Sequence, residues 1–241
     1  MQKNIALENV LIIDLKTVSA QANYKDLPVL MQNEWKNLAQ YHHIQPEQVE
    51  EYYKAKAGIY AEFGKIIGIS VGMFFKKSTT DLGLRIKTFC EASEKETLTQ
   101  FADLVENSLA SFKQLTFCGH NLREFDIPFV SRRLCVHRLP LPQKMDIQNV
   151  KPWEAPLIDT IYHWRFTAFK HYVSLPLLAQ TLEIPISSQY LSEKDIHDYF
   201  WQLNDTNSIV QQSKNDVATI AHILMHFLQL PKIDSSNIEY V

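Results

Sequence analysis

The chain has 241 residues, a formal net charge of -3 and a pI near 6.3. Its hydrophobic share of 46% is enough to bury a sizeable core, which excludes a disordered chain. The weak acidic balance excludes a broadly basic nucleic-acid-binding surface, so any contact with nucleic acid requires a local groove.

The cysteines and the apolar segments set the expected compartment. Cys90, Cys118 and Cys135 lie in apolar contexts without CxxC spacing, which predicts buried, reduced thiols. No apolar run reaches membrane-spanning length, and the first residues lead into a strand rather than a secretory signal. We therefore expect a cytoplasmic protein that makes no membrane contact.

The first half of the chain predicts strands interrupted by a helical segment. Residues 10–17 form an apolar run typical of a buried strand, and a helical insertion follows over about 28–60, with Trp35 among its regularly spaced apolar residues. Residues 65–75 and 84–89 predict an antiparallel hairpin, with the turn between them.

Helices dominate the second half. Ser93 and Glu96 form a capping box before an amphipathic helix, residues 115–120 predict a short buried strand, and a helix follows over about 125–137. The tail after Pro231 reads as a loosely held end. Further helices are predicted near 160–167, 174–183, 192–203 and 207–229.

This order of elements indicates the fold class. Strands come first, and helices are then interleaved and finally prevail, which is typical of an α/β protein with one mixed sheet flanked by helices. We expect a single domain over residues 1–241, with 28–60 as an insertion after the first strand rather than a linker.

Four aspartates stand at the ends of predicted elements, beside apolar residues. Because burying unpaired carboxylates is costly, Asp14, Asp126, Asp159 and Asp216 are expected to converge on one site with cations or donors. Each could instead be a helix cap or a surface acid. For Asp159 the cap is at least as good an interpretation, because Asp159-Thr160 also makes a good helix start.

Two segments depart from ordinary packing patterns. In Asp14-Leu15-Lys16, a two-residue stagger places positions 14 and 16 on one face of the strand, where two carboxylates could share a divalent cation. Here the second residue is a lysine. In residues 119–129, a glycine ends a strand, Asn121 can hydrogen-bond backbone or sugar, and Asp126 starts a helix with Pro128 in its first turn.

These segments carry a resemblance to a known family. Asp14-Leu15-Lys16-Thr17, the run from Gly119-His120-Asn121 through Phe125-Asp126, and Asp216-Val217 resemble the three motifs of DnaQ-like (DEDD) 3′-5′ exonucleases, which have a ribonuclease H-like fold. The subgroup related to the exonuclease domain of family-B DNA polymerases is the most similar, and residues 60–71 and 151–160 also resemble it. The resemblance covers nearly the whole chain.

The resemblance implies a site with two Mg²⁺ or Mn²⁺ ions that acts on the 3′ ends of single-stranded nucleic acid. Asp14 would bridge the ions, Asp126 would bind the outer ion and Asp216 the ion beside the attacking water. The binding site for the terminal nucleotide would be lined by Thr17, Asn121 and Phe125.

Two positions depart from the family pattern. Its second metal-binding acid falls on Lys16, and the Tyr or His that orients the attacking water falls on Gln212 or Gln211. Two unit charges about 4 Å apart repel by roughly 4 kcal/mol at an effective dielectric near 20, and a dication doubles this. Glutamine is no general base at neutral pH.

We therefore predict a nucleic-acid-binding protein of this family with reduced or lost hydrolysis. One alternative is an active metal-dependent exonuclease, in which Lys16 turns to solvent or in which Asp159 or Glu124 supplies the missing ligand. Another is an interaction module that does not bind nucleic acid. A basic cluster could contact phosphates or simply be a solvated face: Arg123, Arg132, Arg133, Arg138, Lys76 and Lys77.

Overall fold

The computed structural model describes residues 5–77, 81–112, 115–151, 154–168, 172–186 and 190–241, without the side chains of 108–111. The strands of its sheet are β1 (Val10–Ser19), β2 (Gly64–Lys76), β3 (Leu82–Phe89), β4 (Thr116–Gly119), β5 (Leu157–Asp159) and β6 (Ile238–Tyr240). The helices are α1 (Val29–Tyr41), α2 (Val49–Lys56), α3 (Glu94–Ser111), α4 (Ile127–Val136), α5 (Thr160–Trp164), α6 (Leu175–Thr181), α7 (Glu193–Trp201) and α8 (Thr206–Phe227).

The sheet is mixed, in the order β5-β4-β1-β2-β3-β6. Strands β1, β2 and β3 pair antiparallel in sequence, whereas β4 runs parallel to β1, β5 parallel to β4 and β6 parallel to β3. This architecture confirms the predicted α/β class with a ribonuclease H-like mixed sheet. The predicted hairpin is also confirmed, although residues 78–80 of its turn lie outside the described part of the chain, as do residues 152 and 153 of the later connecting segment.

Alternation along β1 separates two hydrophobic cores. Val10 and Ile12 face the core that contains α8, whereas Leu11, Ile13 and Leu15 face the core built from α3 and α4. Because successive side chains of a strand point to opposite faces, positions 14 and 16 continue the α8 face. The strand register therefore places both polar residues beneath α8.

Helix α8 comes close to the sheet because β2 carries a glycine there. A Cβ atom at Gly72 would lie 2.6 Å from Cγ1 of Val217, a contact that real side chains avoid. The contact brings the following turns of α8 over β1 and β2. The polar face of α8 next to Val217 is thereby held at the sheet surface.

The segment after β1 folds into helices, as predicted. α1 and α2 pack around Trp35 and Tyr53, both fully buried, in an aromatic cluster of their own. α2 then packs against α7, near the end of the chain. The insertion is thus one wall of the space above β1.

Three local predictions have clear outcomes. The capping box is confirmed, because the Glu96 backbone N–H donates to Ser93 Oγ (3.2 Å) and the Ser93 N–H donates to the Glu96 carboxylate (3.1 Å). The loose tail is wrong, because β6 adds to the edge of β3. The prediction of three buried thiols is wrong in part, since Cys118 is buried while Cys90 is half-buried and Cys135 exposed.

No helix in the described part of the chain has the length and apolar character that crossing a membrane requires.

Candidate functional site

A cleft of about 830 Å³ opens above β1, between the helical insertion, the start of α7 and the segment that precedes α4. It brings together seven of the residues predicted from sequence: Asp14, Lys16, Thr17, Asn121, Phe125, Asp126 and Gln212. Asp216 reaches this group from α8 by contacting Lys16. Asp159 does not line the cleft.

Lys16 lies inside the carboxylate cluster. Its Nζ is 2.9 Å from Asp14 Oδ2 and 2.6 Å from Asp216 Oδ2, and the residue is only 7% exposed. The stagger along β1 and the approach of α8 together produce this geometry. It contradicts the alternative in which Lys16 turns to solvent.

The charges of this cluster are interdependent. Burial disfavours the Lys16 ammonium, but the carboxylates of Asp14 and Asp216 outweigh burial, so the pKa of Lys16 is raised. Burial raises the pKa of Asp14 to about 6 against the attraction of Lys16. The cluster therefore holds a charged ammonium between the side chains of Asp14 and Asp216.

Two further residues complete this network, and sequence reasoning missed both. Ser213 Oγ donates a hydrogen bond to Asp14 Oδ2 (2.6 Å), and the Tyr190 hydroxyl donates to Asp216 Oδ2 (3.3 Å). Ser213 stands three residues before Asp216 on α8, so helical spacing could have indicated that it shares the same face. Nothing in the local sequence indicates that Tyr190 reaches the cluster.

Asp126 is the least compensated acid of the site. It is buried, and its Oδ2 has no hydrogen-bond partner among the described residues. Burial, reinforced by the charges of Asp14 and Asp159, raises the pKa of Asp126 well above its ordinary range. This carboxyl group is therefore poised to be neutral in the absence of a cation.

The segment before Asp126 has the backbone that its sequence indicates. A Cβ at Gly119 would lie 2.9 Å from the Leu122 Cδ1 and 3.2 Å from the Ile13 carbonyl oxygen, so a larger residue would displace its neighbours where this segment passes β1. Asn121 adopts a left-handed conformation (φ 68°), which asparagine tolerates better than most residues. A π-helical turn, Leu122–Asp126, then directs Asp126 into the cleft.

Asp159 holds this segment in place instead of facing the cleft. Its carboxylate accepts hydrogen bonds from the backbone N–H groups of Asn121 (3.2 Å), Arg123 (2.9 Å) and Ile161 (2.9 Å). It also caps α5, in line with the cap interpretation of the sequence. Its oxygens are thus engaged by amides.

Gln212 is likewise occupied by backbone groups. Its Oε1 accepts from the Leu191 N–H (2.6 Å) and its Nε2 donates to the Leu191 carbonyl (3.1 Å). The side chain therefore fixes the segment that carries Tyr190. In this arrangement both the oxygen and the nitrogen of the carboxamide bond the backbone, so neither is directed at a water molecule in the cleft.

The remaining candidates separate into exposed and structural groups. Glu124 lines the cleft but is exposed, and its carboxylate lies 3.5 Å from an Arg165 nitrogen. Arg133, considered above as a phosphate contact, is buried, and its guanidinium bonds Glu94 at 2.6 and 2.8 Å. It is a structural residue that links α3 to α4.

The donor set does not fit a pair of divalent cations. The Lys16 ammonium lies within 3 Å of the oxygens through which Asp14 and Asp216 would coordinate, and Asp159 is engaged by amides. Among the residues that the structure describes, no group of three His, Cys, Asp or Glu side chains is arranged to hold a metal.

Comparison with known proteins gives a match in structure alone. No protein-family model and no curated protein sequence matches the chain. The structure of the family B DNA polymerase from the hyperthermophilic archaeon Pyrobaculum calidifontis matches with a TM-score of 0.56 and 13% identity, over 91% of this chain and 24% of the polymerase. At this identity the likeness shows that the two share a fold, and this chain spans about a quarter of the polymerase.

Proposed function

We propose that this protein binds single-stranded nucleic acid ends in its cleft, as a member of the DnaQ-like (DEDD) 3′-5′ exonuclease family that has lost metal-dependent hydrolysis. The observation that carries the proposal is the position of the Lys16 Nζ between Asp14 and Asp216. The fold shared with part of a family B DNA polymerase supports the nucleic-acid-related half of the proposal. The likeness of residues 119–126 to the family's middle motif supports it further.

The loss of hydrolysis follows from charge. A dication seated between Asp14 and Asp216 would meet an ammonium that is 7% exposed and therefore poorly screened. The ammonium neutralises the aspartates that a metal would otherwise neutralise, so the cluster keeps its shape without ions. Binding would then depend on the cleft surface around Thr17, Asn121 and Phe125.

The first test compares nuclease activities. Purified protein is incubated with 5′-labelled single-stranded DNA or RNA in Mg²⁺ or Mn²⁺, in parallel with a Lys16→Glu, Gln212→Tyr variant that restores the family residues. We expect shortening from the 3′ end by the double variant and at most traces by the wild type. Adding Asp14→Asn to the double variant provides the control for contaminating nucleases.

Equal rates for the wild type and the double variant, both abolished by Asp14→Asn, would overturn the loss of hydrolysis. Binding is measured separately, by fluorescence anisotropy of the same strands in EDTA at about 50 mM salt, where electrostatic contacts are strong. Absence of binding there would overturn the nucleic-acid half of the proposal.

One observation favours a second candidate, an interaction module that does not bind nucleic acid. The side chains that line the cleft include four acids, Asp14, Glu124, Asp126 and Glu193, against three lysines. A cleft without positive excess attracts a polyanion weakly unless its lysines change partners. The anisotropy measurement separates the two candidates.

A further inference from the structure

Two ion pairs join the helical insertion to α7 at the mouth of the cleft. Lys56 of α2 lies 2.6 Å from Glu193, and Lys194 lies in contact with Glu51 of α2. Lys56, Glu193 and Lys194 all line the cleft. The lysine of one pair comes from α2 and that of the other from α7, so each of the two helices contributes one lysine and one glutamate.

These pairs differ in kind from the pair that holds Lys16. Their four side chains are between 43% and 64% exposed, whereas the Lys16 side chain is 8% exposed. Exposed ion pairs contribute little to stability, so their lysines can exchange a carboxylate for another anion at little cost. Lys16 cannot do so without leaving buried aspartates unpaired.

An aromatic side chain lies beside the same pairs. Tyr172 lines the cleft and is 68% exposed. Lys56, Glu193 and Lys194 line the same cleft as Tyr172. An exposed tyrosine face next to ammonium groups suits a base whose phosphate is held nearby.

We propose that Lys56 and Lys194 contact the phosphates of a bound single strand by exchanging Glu193 and Glu51 for phosphodiester oxygens, while Tyr172 stacks on a base. This inference rests on the proposed function and names the residues that would supply the missing positive charge of the cleft. The two glutamates then compete with the ligand, and the helical insertion becomes part of the binding surface.

The test uses the full chain and short single-stranded DNA in EDTA, with anisotropy measured over a range of salt concentrations. A Lys56→Gln, Lys194→Gln variant is compared with Lys36→Gln, Lys95→Gln, which removes the same charge at exposed positions that do not line the cleft. Loss of two phosphate contacts is expected to weaken binding about tenfold or more at low salt and to reduce the salt slope by about 1.4. The control is expected to keep the wild-type slope.

A second variant distinguishes competition from simple support of the cleft. Glu51→Gln, Glu193→Gln breaks the same ion pairs but frees the lysines, so it is expected to bind the strand more tightly than the wild type. If the pairs served only to shape the cleft, both double variants would bind more weakly. For the stacking contact, Tyr172→Ala is expected to weaken binding about fivefold or more, whereas Tyr172→Phe retains it.

The outcomes separate this inference from the function on which it rests. Wild-type binding with an unchanged affinity and salt slope in Lys56→Gln, Lys194→Gln overturns the inference and leaves the proposed function standing. Weakened binding in both double variants overturns the exchange of partners. Absence of binding by the wild type overturns the proposed function itself.

Discussion

At the scale of single residues, the site is organised around one lysine. Lys16 satisfies Asp14 and Asp216, and Ser213 and Tyr190 provide the remaining hydrogen bonds to these carboxylates. Removing one partner of a buried charge cluster leaves the other charges uncompensated. The resulting loss of stability exceeds the net stabilisation that the intact pair provides. We therefore expect the lysine to stabilise the folded state.

Lys16→Met is expected to destabilise the protein by about 3–5 kcal/mol at pH 7, because Asp14 and Asp216 lose the buried ammonium that pairs with both of them. The raised pKa of Lys16 means that its contribution is present below the ordinary lysine pKa and is lost only as strongly alkaline pH is reached. Urea denaturation at pH 7 measures the effect, with Lys36→Met as an exposed control.

The difference in stability between the wild type and Lys16→Met is also expected to depend on pH below neutrality. The pKa of Asp14 is already raised to about 6, and losing the ammonium raises it further, so this carboxyl group is neutral near pH 5. The difference between the wild type and Lys16→Met should therefore shrink from pH 7 to pH 5. A difference that is small at pH 7 as well would mean that the ammonium is solvated.

At the scale of elements, the ion pair between Glu94 and Arg133 joins the start of α3 to α4. Glu94 also accepts a hydrogen bond from the Ile66 backbone N–H of β2 and contacts His137. Burial alone would raise the pKa of Glu94, but the hydrogen bonds from Arg133, Ile66 and His137 outweigh burial and lower it. These contacts hold α3, and α4 with the preceding segment that carries Asp126, against the sheet.

Glu94→Gln is expected to cost about 3 kcal/mol at pH 7, because Arg133 is left as an unpaired buried charge. A lowered pKa stabilises the folded state above the ordinary glutamate pKa, and this stabilisation is lost as the pH falls through the folded-state value. The wild type should therefore lose stability relative to Glu94→Gln below about pH 4.5. Thermal unfolding across pH 3.5–7.5 checks this. A constant difference would contradict the assigned charge state.

At the scale of the whole molecule, the order of the strands decides which residues meet. β1 lies between β4 and β2, so the end of β4 delivers the segment that carries Asp126 to the same edge where Asp14 faces α8. The insertion and α7 then close the space from the other side. The cleft is therefore a product of topology, and each of its walls comes from a different part of the chain.

The sequence predicted those parts that depend on local patterns. The period of apolar residues identified β1, the hairpin and the later helices, and the stagger of Asp14 and Lys16 predicted their shared face. The resemblance to exonuclease motifs predicted that Asp14, Asp126 and Asp216 would lie near one another. The hydrogen-bond partners of those acids could not be predicted from local patterns. Tyr190 reaches Asp216 because Gln212 bonds the Leu191 backbone and so fixes the segment that carries Tyr190.

The errors have the same physical origin. The tail was expected to be loose because its composition does not reveal that β3 has an open edge, and the pairing of Ile238 with Leu84 joins residues far apart in sequence. Arg133 belongs neither to a phosphate-contacting surface nor to a solvated face, the two alternatives that the sequence left open, because it pairs with Glu94 in the interior. Long-range pairing of this kind is set by the packed structure.

The most direct test of the central claim is a titration of Mn²⁺ into the wild type and into Lys16→Glu. Binding is measured by calorimetry and by electron paramagnetic resonance, which detects the free ion. If the Lys16 ammonium occupies the position of a metal, the wild type will bind no Mn²⁺ at the site up to about 1 mM, a range in which oxygen sites with adequate charge are filled. Lys16→Glu will bind, and Asp14→Asn in that background will abolish it. Wild-type binding that equals the variant's and is lost with Asp14→Asn would contradict the account.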